Sequence, residues 1–348
     1  MRTTAAAGIW LCGALAVPLS LLLGGGPRGA VPALQATPRT HVLIVSGVGG
    51  DSVRSERFTR LALEASAALR TRYNVEDSLV TVLAERTAQN PNIIKKRSTR
   101  DAVRAALERL AARALPNERV VLLFIGHGSA QSNRPQLALV GPDLSAADLN
   151  TMLAPIKASP LAVILAASAS GDFVKPLAAP GRVIITATKS GAEQNESLFA
   201  EHFVTALGSD AADGDKDNRI SLLELFTYTR REVARVYETS NRLLTEHAIL
   251  EDDGDGVGRA DAAPNGADGQ LASRLALSRI GTVAATTDPR AAPFLRRRED
   301  LQRQIDSLRT RRDRLSSAEY DRRLEDLVVQ LAQVNRALRD TLARPRKP

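Results

Sequence analysis

The sequence predicts an α/β protein with a mainly parallel sheet sandwiched by helices. Five short apolar runs, rich in Val, Ile and Leu, recur along the first part of the chain, and stretches with helical spacing separate them. Runs without polar alternation are typical of strands buried on both faces, as in a parallel sheet covered by helices. The runs cover residues 41–45, 79–83, 120–125, 161–166 and 183–186. They predict one α/β domain over residues 38–207.

Two of the intervening stretches carry the signals of individual helices. Phe58, Leu61 and Leu69 follow the first strand with helical spacing. The run Ser98-Thr99-Arg100-Asp101 has the composition of a helix N-cap and precedes a second helical stretch. Such helices are the crossovers that connect parallel strands.

The N-terminal segment has the order of a secretory signal peptide. Arg2 is followed by an apolar stretch over residues 5–23, and small residues around Leu34-Gln35-Ala36 offer a cleavage site. We therefore expect residues 1–36 to be a signal peptide and the mature protein to be periplasmic or secreted. The alternative is an uncleaved anchor, since the stretch is nearly long enough to span a bilayer. No later segment is apolar enough to do so.

The cysteine content limits the possible chemistry. Cys12 is the only cysteine of the sequence, and it lies inside the predicted signal segment. We therefore expect the mature protein to contain neither a thiol nor a disulfide.

Positive charge is concentrated at the C-terminus. The formal net charge is +8, and residues 291–348 hold fifteen Lys or Arg against nine Asp or Glu. The basic character therefore belongs to the tail and says little about the α/β domain. Because no set of stacking aromatics accompanies these arginines, and because export is predicted, we do not expect a nucleic-acid partner.

The tail itself has helical spacing. Residues 263–293 show weak periodicity and are expected to be a linker, whereas residues 294–343 carry apolar residues at steps of three and four. Ser316 and Ser317 offer a break and an N-cap, which predicts a basic α-helical hairpin. Such a hairpin either folds on itself or pairs with another copy of the chain, and the sequence leaves both open.

Two of the predicted strands end in residues suited to catalysis. The third strand runs into Gly126-His127-Gly128, and the fourth runs into Ala167-Ser168-Ala169. In open parallel sheets, reactive groups gather beyond the carboxyl ends of the strands. His127 is therefore a candidate base, Ser168 a candidate nucleophile and the Gly128 amide a candidate oxyanion donor. The simplest alternative is a loop histidine and a loop serine that share no site.

In this arrangement the sequence resembles the legumain-type cysteine peptidases and, more distantly, the caspases. That family places His-Gly after one buried strand and Ala-Cys after the next, and here the two positions lie 41 residues apart. The resemblance covers roughly residues 40–207 and includes Ser46-Gly47, Asp148-Leu149 and Ala187-Thr188. It implies a caspase-like sheet and a catalytic dyad at the positions of His127 and Ser168.

The departure from that family falls at the nucleophile, because Ser168 stands where the family has Cys. A thiol supplies some thiolate near neutral pH, whereas a serine hydroxyl needs an oriented base before it reacts. We therefore interpret the protein as a pseudo-peptidase that acts by binding or scaffolding an unknown protein or peptide. Two alternatives remain open: a hydrolase that uses a Ser168/His127 dyad, and a structural assembly protein that acts through the C-terminal hairpin.

Residues 213–224 fit the twelve-residue calcium loop of an EF-hand. Carboxylates occupy positions one, three and five, position seven offers a backbone carbonyl, position nine a hydroxyl, and position twelve a Glu that can bind bidentately. The predicted calcium ligands are Asp213, Asp215, Asp217, the carbonyl of Arg219, Ser221 and Glu224. Asn218 stands at position six, where Gly is usual, and Asn tolerates the left-handed region better than most residues. The alternative is an acidic turn that caps the following helix at Ser221.

A second acidic run, over residues 251–258, is less complete. Glu251, Asp253 and Asp255 alternate, and Gly256 stands at the sixth position. Position twelve has no acid, and Gly258 replaces the usual apolar residue. The sequence leaves open whether this run binds metal. Both acidic runs fall in a segment over residues 208–262, between the α/β domain and the expected linker.

Overall fold

The structure is a computed structural model that describes residues 39–130, 134–217, 219–278, 290–310 and 315–343. The predicted signal segment over residues 1–36 and the predicted left-handed residue Asn218 lie outside these ranges. No helix within them is both long and apolar enough to cross a membrane.

A seven-stranded sheet forms the centre of the fold. In spatial order its strands are β11 (Ile249–Glu251), β9 (Arg182–Thr186), β8 (Leu161–Ala167), β4 (Arg119–Gly126), β1 (Thr40–Ser46), β2 (Val80–Ala84) and β3 (Ile94–Arg97). All neighbours pair in parallel except β11, which runs antiparallel to β9. The predicted α/β class with a mainly parallel sheet is therefore confirmed.

Helices cover both faces of this sheet. The helices on one face are α1 (Ser52–Tyr73), α5 (Phe199–Gly208), α6 (Leu222–Thr239) and the short α7 (Gln270–Arg274). Those on the other face are α2 (Arg100–Arg113), α3 (Ala146–Leu153) and α4 (Val174–Leu177). Successive residues of a strand point to opposite faces, so Ile44 belongs to the first core and Val45 to the second. This double burial explains the absence of polar alternation in the strand sequences.

Local signals in the sequence account for the start of α2. The Thr99 side chain accepts a hydrogen bond from the Ala102 amide, so Thr99 is the N-cap of that helix. This position lies inside the predicted capping run. A cap of this kind satisfies one of the amides that have no partner within the first helical turn.

Two edge strands of the large sheet have no counterpart among the predicted strands. In β3 only Ile94 is buried, and the three basic residues after it are exposed. Charged residues on an edge strand are common because they discourage pairing with other chains, but they remove the apolar run that marks a buried strand. β11 has only three residues, which is too short for a periodic signal.

Two small sheets complete the β structure of the described residues. One contains β5 (Gly128–Ser129), β6 (Gln136–Leu137) and β7 (Leu144–Ser145), and the other pairs β10 (Arg219–Ser221) with β12 (Ala276–Ser278). All pairs in both sheets are antiparallel.

The segment after residue 207 packs into the same core as the sheet. Ile220, Leu250 and Leu275 all belong to the cluster that contains Ile44. The expected linker over residues 263–293 therefore differs from the structure over its first part, where α7 and β12 form and Ala272 is fully buried. Few apolar residues suffice here because they fill a space that the sheet and α6 already enclose.

The predicted C-terminal hairpin consists of α8 (Ala292–Thr310) and α9 (Ser317–Ala343). Leu301 and Ile305 of α8 pack with Leu331 of α9 in an apolar cluster of their own. The break between the helices falls where the serines predict it, since the Ser316 hydroxyl accepts a hydrogen bond from the Glu319 amide at the start of α9.

Candidate functional site

His127 and Ser168 leave the large sheet side by side. β4 and β8 are neighbouring parallel strands, and their register pairs Gly126 with Ala167. The next residue of each strand is His127 in one case and Ser168 in the other. The structure thus brings the two predicted positions to the carboxyl edge of the sheet, where parallel α/β folds place their functional groups.

The Gly128 amide is directed at Ser168. It donates a long hydrogen bond of 3.3 Å to the Ser168 hydroxyl oxygen. The two backbones approach so closely here that a Cβ atom on Gly128 would lie 2.3 Å from the Ser168 carbonyl oxygen. Only glycine fits this position, and the predicted oxyanion donor is occupied by the side chain it would serve.

Ser168 itself is almost inaccessible to solvent. Its relative exposure is 3%, and the residue after it, Ala169, is fully buried. Ala169 has a φ of 50°, in the left-handed region that non-glycine residues adopt at a cost. Its amide donates to the Glu193 carbonyl at 2.8 Å, which holds this turn in place.

The His127 ring packs against an apolar neighbour. It is half-buried and meets the Phe58 ring edge-on, with ring centroids 5.1 Å apart. A small and mainly apolar cavity lined by Phe124, His127 and Leu139 lies beside it. Among the described residues, no hydrogen bond joins the His127 ring to Ser168.

The turn after β8 is bound to the loop after β9. The Thr188 hydroxyl oxygen accepts from the Gly171 amide at 3.0 Å, and the Ser170 hydroxyl oxygen accepts from the Ala187 amide at 3.1 Å. Ser170 and Thr188 are fully buried. The Ala187-Thr188 pair, which the resemblance included without a role, thus fixes the backbone on which Ser168 stands.

A second set of contacts at this edge was not predicted from the sequence. The Glu193 carboxylate pairs with the His247 ring at 2.5 Å and accepts from the His247 amide at 3.0 Å. Glu246, which is buried, accepts from the Leu198 amide just before α5. These partners lie about fifty residues apart in loops, so no local pattern connects them.

Three of the predicted calcium ligands come together in the first acidic loop. Asp213, Asp215 and Glu224 each bring a carboxylate oxygen within 4.8 Å of the others, and Asp213 is buried. Opposite ligands of one Ca²⁺ ion lie up to about 5 Å apart, since each Ca–O distance is about 2.3–2.6 Å. The spacing of the three carboxylates therefore fits calcium.

Asp217 does not belong to that cluster. Its carboxylate accepts a hydrogen bond from the Arg219 amide at 2.6 Å. Burial, with the neighbouring charge of Asp215 next in size, raises the pKa of Asp217 to about 7. Arg219 is the first residue of β10 and pairs with Ser278.

Ser221 and Glu224 also form a capping box at the start of α6. The Ser221 hydroxyl oxygen accepts from the Glu224 amide at 3.1 Å, and the Glu224 carboxylate accepts from the Ser221 amide at 2.8 Å. The same carboxylate accepts from the Gly214 amide at 3.0 Å, which brings the two ends of the loop together. The helix cap that was the alternative to a calcium site is thus present, and it leaves the carboxylate cluster intact.

The first acidic loop lies at the opposite edge of the sheet from Ser168. Arg119, the first residue of β4, donates to the Ala276 carbonyl at 2.8 Å, and Ala276 pairs with Ser221. β4 has eight residues, so roughly 25 Å of strand separates this loop from His127. A cation in the loop cannot touch the candidate dyad.

Comparisons with known proteins return structures and no sequences. No protein-family model matches the chain, and no curated protein matches it significantly. Among solved structures, it is similar to the Drosophila initiator caspase Dronc, with 9% identity over 63% of this chain and 81% of that chain, at a TM-score of 0.41. For drICE the identity is 13% over 63% of this chain and 90% of that chain, at a TM-score of 0.37. For caspase-1 from Spodoptera frugiperda the identity is 13% over 62% of this chain and 86% of that chain, at a TM-score of 0.39. At such identities and scores, function has to be argued from the site itself.

Proposed function

We propose that the protein is an exported, caspase/legumain-like pseudo-peptidase that acts by binding or scaffolding a protein or peptide partner. The observation that carries the proposal is the state of the nucleophile position. Ser168 has a hydroxyl in place of a thiol, is 3% exposed, and accepts the hydrogen bond of the Gly128 amide. Each of these three properties opposes nucleophilic attack on a peptide.

The first property concerns the atom itself. A serine hydroxyl reacts only when a base within about 2.6–3.2 Å removes its proton. The His127 ring makes an aromatic contact with Phe58 and no hydrogen bond with Ser168. The chain contains no later cysteine that might replace the serine, because Cys12 is the only one.

The second and third properties concern the surroundings. A scissile carbonyl must approach both the nucleophile and an amide that stabilises the oxyanion. Ser168 is covered, and the Gly128 amide already has a partner in the Ser168 hydroxyl. Catalysis would require the turn after β8 to move, although that turn is tied down through Thr188 and Glu193.

Calcium is part of the proposal as a stabilising ligand of the first acidic loop. Three carboxylates of that loop lie at calcium spacing, and they adjoin β10, which packs into the main core. Because this loop is far from Ser168, the cation acts on the stability of the fold and not on chemistry at the dyad. A ligand that binds only the folded state raises its stability, by about 2.7 kcal/mol at a hundredfold excess over Kd.

The proposal is tested with a fluorophosphonate probe and a broad peptide library. We expect no adduct on Ser168 and no cleavage by the wild-type protein. Ser168→Ala and His127→Ala serve as matched controls for background activity. Reproducible cleavage by the wild type that both substitutions abolish would establish the serine hydrolase alternative and remove the pseudo-peptidase.

One observation favours that hydrolase as the second candidate. Strained backbone clusters at active sites, and Ala169 adopts its positive φ directly after Ser168. A probe adduct on Ser168 without peptide cleavage would indicate a hydrolase of another substrate class.

A further inference from the structure

The second acidic loop, over residues 251–258, gathers three carboxylates after the edge strand β11. Glu251, Asp253 and Asp255 each bring an oxygen within 4.8 Å of the others. Glu251 is the last residue of β11 and is completely buried, whereas the two aspartates are partly exposed. One side of the cluster thus belongs to the core and the other faces solvent.

Glu251 carries an oxygen that the described residues leave unsatisfied. One carboxylate oxygen accepts from the Gly254 amide at 2.6 Å, while Oε2 is buried and has no hydrogen-bond partner. A buried carboxylate oxygen without a partner is costly, because neither water nor a donor compensates its charge. Native proteins pair such groups with a donor, a cation or a metal.

The nearby arginine compensates the other acids but not Glu251. Arg259 donates to Asp255 at 2.7 Å and to the buried Asp268 at 2.6 Å, and lies 3.7 Å from Asp253. Within the described part of the chain, this guanidinium forms no hydrogen bond or ion pair with Glu251. Arg259 therefore does not neutralise Glu251, and Oε2 of Glu251 keeps no partner in the presence of the arginine.

We infer that Glu251, Asp253 and Asp255 form a second cation site of this protein, with Ca²⁺ as the ion. Their spacing fits a Ca²⁺ ion with Ca–O distances of about 2.3–2.6 Å. The all-carboxylate donor set selects a hard divalent cation over a soft metal. This inference is independent of the first loop and of any activity at Ser168.

The backbone around the cluster is built for a close turn. Gly254 and Gly256 both have positive φ, at 86° and 78°, and a Cβ on Gly254 would lie 3.4 Å from backbone atoms of Ala179 and Pro180. The loop therefore lies against the connection between α4 and β9. A cation here links the edge strand β11 to the amino end of β9, away from the candidate dyad.

Two neighbouring aspartates also hold the loop in place. Asp252 points away from the cluster and accepts from the Gly269 and Ala272 amides, both at 2.8 Å. Asp268 accepts from the Asp252 amide at 2.9 Å. The ligand carboxylates also accept from loop amides, those of Gly254, Asp255 and Val257. Replacing one carboxylate by its amide keeps an oxygen that can accept the same hydrogen bond.

The test counts calcium ions bound per chain by equilibrium dialysis of the full-length protein. We expect Glu251→Gln to bind one ion fewer than the wild type, and Asp253→Asn to do the same or to bind it more weakly. Asp261→Asn, an exposed acid nearby outside the cluster, is the matched control and should bind as many ions as the wild type. An unchanged ion count in Glu251→Gln would overturn the inference.

Thermal melts separate this site from the first loop and from misfolding. In a chelator, Glu251→Gln should melt at or above the wild-type temperature, because the amide removes the buried charge. In excess calcium, the wild type should gain more than this variant does. Glu224→Gln reports on the first loop alone. If this variant loses one bound ion, that loss does not argue against the second site. If Glu251→Gln shows the full calcium-dependent shift, Arg259 is the only counter-cation and the second site does not exist.

Discussion

At the scale of single residues, the decisive feature is the environment of Ser168. Ser168 is the first residue of the turn after β8 and is buried, its hydroxyl oxygen accepts from the Gly128 amide, and the next residue, Ala169, is buried too. A thiol at this position would meet the same cover. Chemistry at residue 168 therefore depends on the surrounding backbone as much as on the atom that the side chain presents.

We expect Ser168→Cys not to restore peptide cleavage. The introduced thiol should also resist alkylation in the native state, because thiol reactivity requires exposure and a lowered pKa. Iodoacetamide labelling under native conditions, compared with labelling in denaturant, measures this directly. The wild type corrects for any labelling of Cys12. Rapid native labelling together with peptide cleavage would contradict the description of a covered site.

The backbone of Ala169 supports a second prediction. At its φ of 50°, a residue with a Cβ is strained by about 1–2 kcal/mol. Glycine avoids this strain, but it loses more conformational entropy on folding, which offsets part of the gain in stability. Ala169→Gly should therefore leave the free energy of unfolding unchanged or raise it by up to about 1 kcal/mol. Ala167→Gly, in the regular strand β8, is the control and should destabilise the protein. Urea unfolding measures both variants, and a clear loss of stability in Ala169→Gly would contradict the strain.

A buried ionic group at the other end of the sheet gives a pH prediction. Glu118 accepts from the Leu115 amide at 3.0 Å, from His41 at 2.8 Å and from Arg39 at 2.6 Å. These partners, the Leu115 amide first, lower the pKa of Glu118 from about 4.5 to about 2. Since the folded state binds the proton less tightly than the unfolded state, the stabilisation is complete above pH 4.5 and is lost as the pH falls toward 2.

Glu118→Gln should therefore lower the free energy of unfolding at neutral pH, by up to about 3 kcal/mol. The difference from the wild type should shrink between pH 4.5 and pH 2. Urea titrations across this window measure it. Glu64→Gln, which breaks only an exposed pair with Arg60, should change stability by less than about 1 kcal/mol at any pH. A pH-independent loss in Glu118→Gln would attribute the effect to packing.

At the scale of elements, the first acidic loop combines a helix cap with a carboxylate cluster. Glu224 serves both, since it completes the capping box of α6 and lies near Asp213 and Asp215. Glutamine at the third position of a helix also completes a capping box. It lacks the charge for bidentate calcium binding, so one substitution separates the two roles.

Glu224→Gln should keep the stability of the protein in chelator and lose most of the stabilisation by calcium. In the wild type that stabilisation should reach about 2.7 kcal/mol when calcium is a hundredfold above Kd. Differential scanning calorimetry with calcium or EDTA measures the difference. The control is Ser145→Ala, which removes the N-cap of α3 and should cost about 1 kcal/mol with or without calcium. If chelation leaves the wild-type melting temperature unaltered, the loop is a cap alone.

At the scale of the whole molecule, the hairpin of α8 and α9 has a core of its own. None of its described residues belongs to the two clusters that cover the sheet. α9 also exposes Val328 and Val329, each 48% accessible. Such exposure suits a hairpin that pairs with a second copy of the chain, which is one of the two arrangements that the sequence leaves open.

If the hairpin pairs two copies of the chain, removal of residues 294–348 should leave the α/β domain folded and reduce the particle to a monomer. Light scattering of the full chain and of the truncated chain measures the mass, and circular dichroism checks the fold. Replacing Val328 and Val329 by Ser should also weaken pairing without disturbing the hairpin core at Leu331. A monomer in every case would remove self-association through the hairpin.

The sequence by itself determined the class of fold and the strands that carry the candidate site. Long apolar runs such as that of β4 can be identified in the sequence, because burial of both faces of a strand excludes polar residues from it. Helix caps can also be predicted from the sequence, because they depend on neighbours within a few residues. Examples are the capping run before α2 and the serines between α8 and α9. For the same reason the sequence indicated the carboxylate spacing of the acidic loop over residues 213–224.

Only the tertiary structure decided what surrounds these residues. That Ser168 is covered, that its hydroxyl accepts from Gly128, and that one oxygen of Glu251 is buried without a partner all depend on contacts between distant segments. The packing of residues 270–278 into the core, where a linker was expected, has the same origin. The burial of a residue depends on which other elements pack against it. A pattern that repeats along one element does not identify those elements.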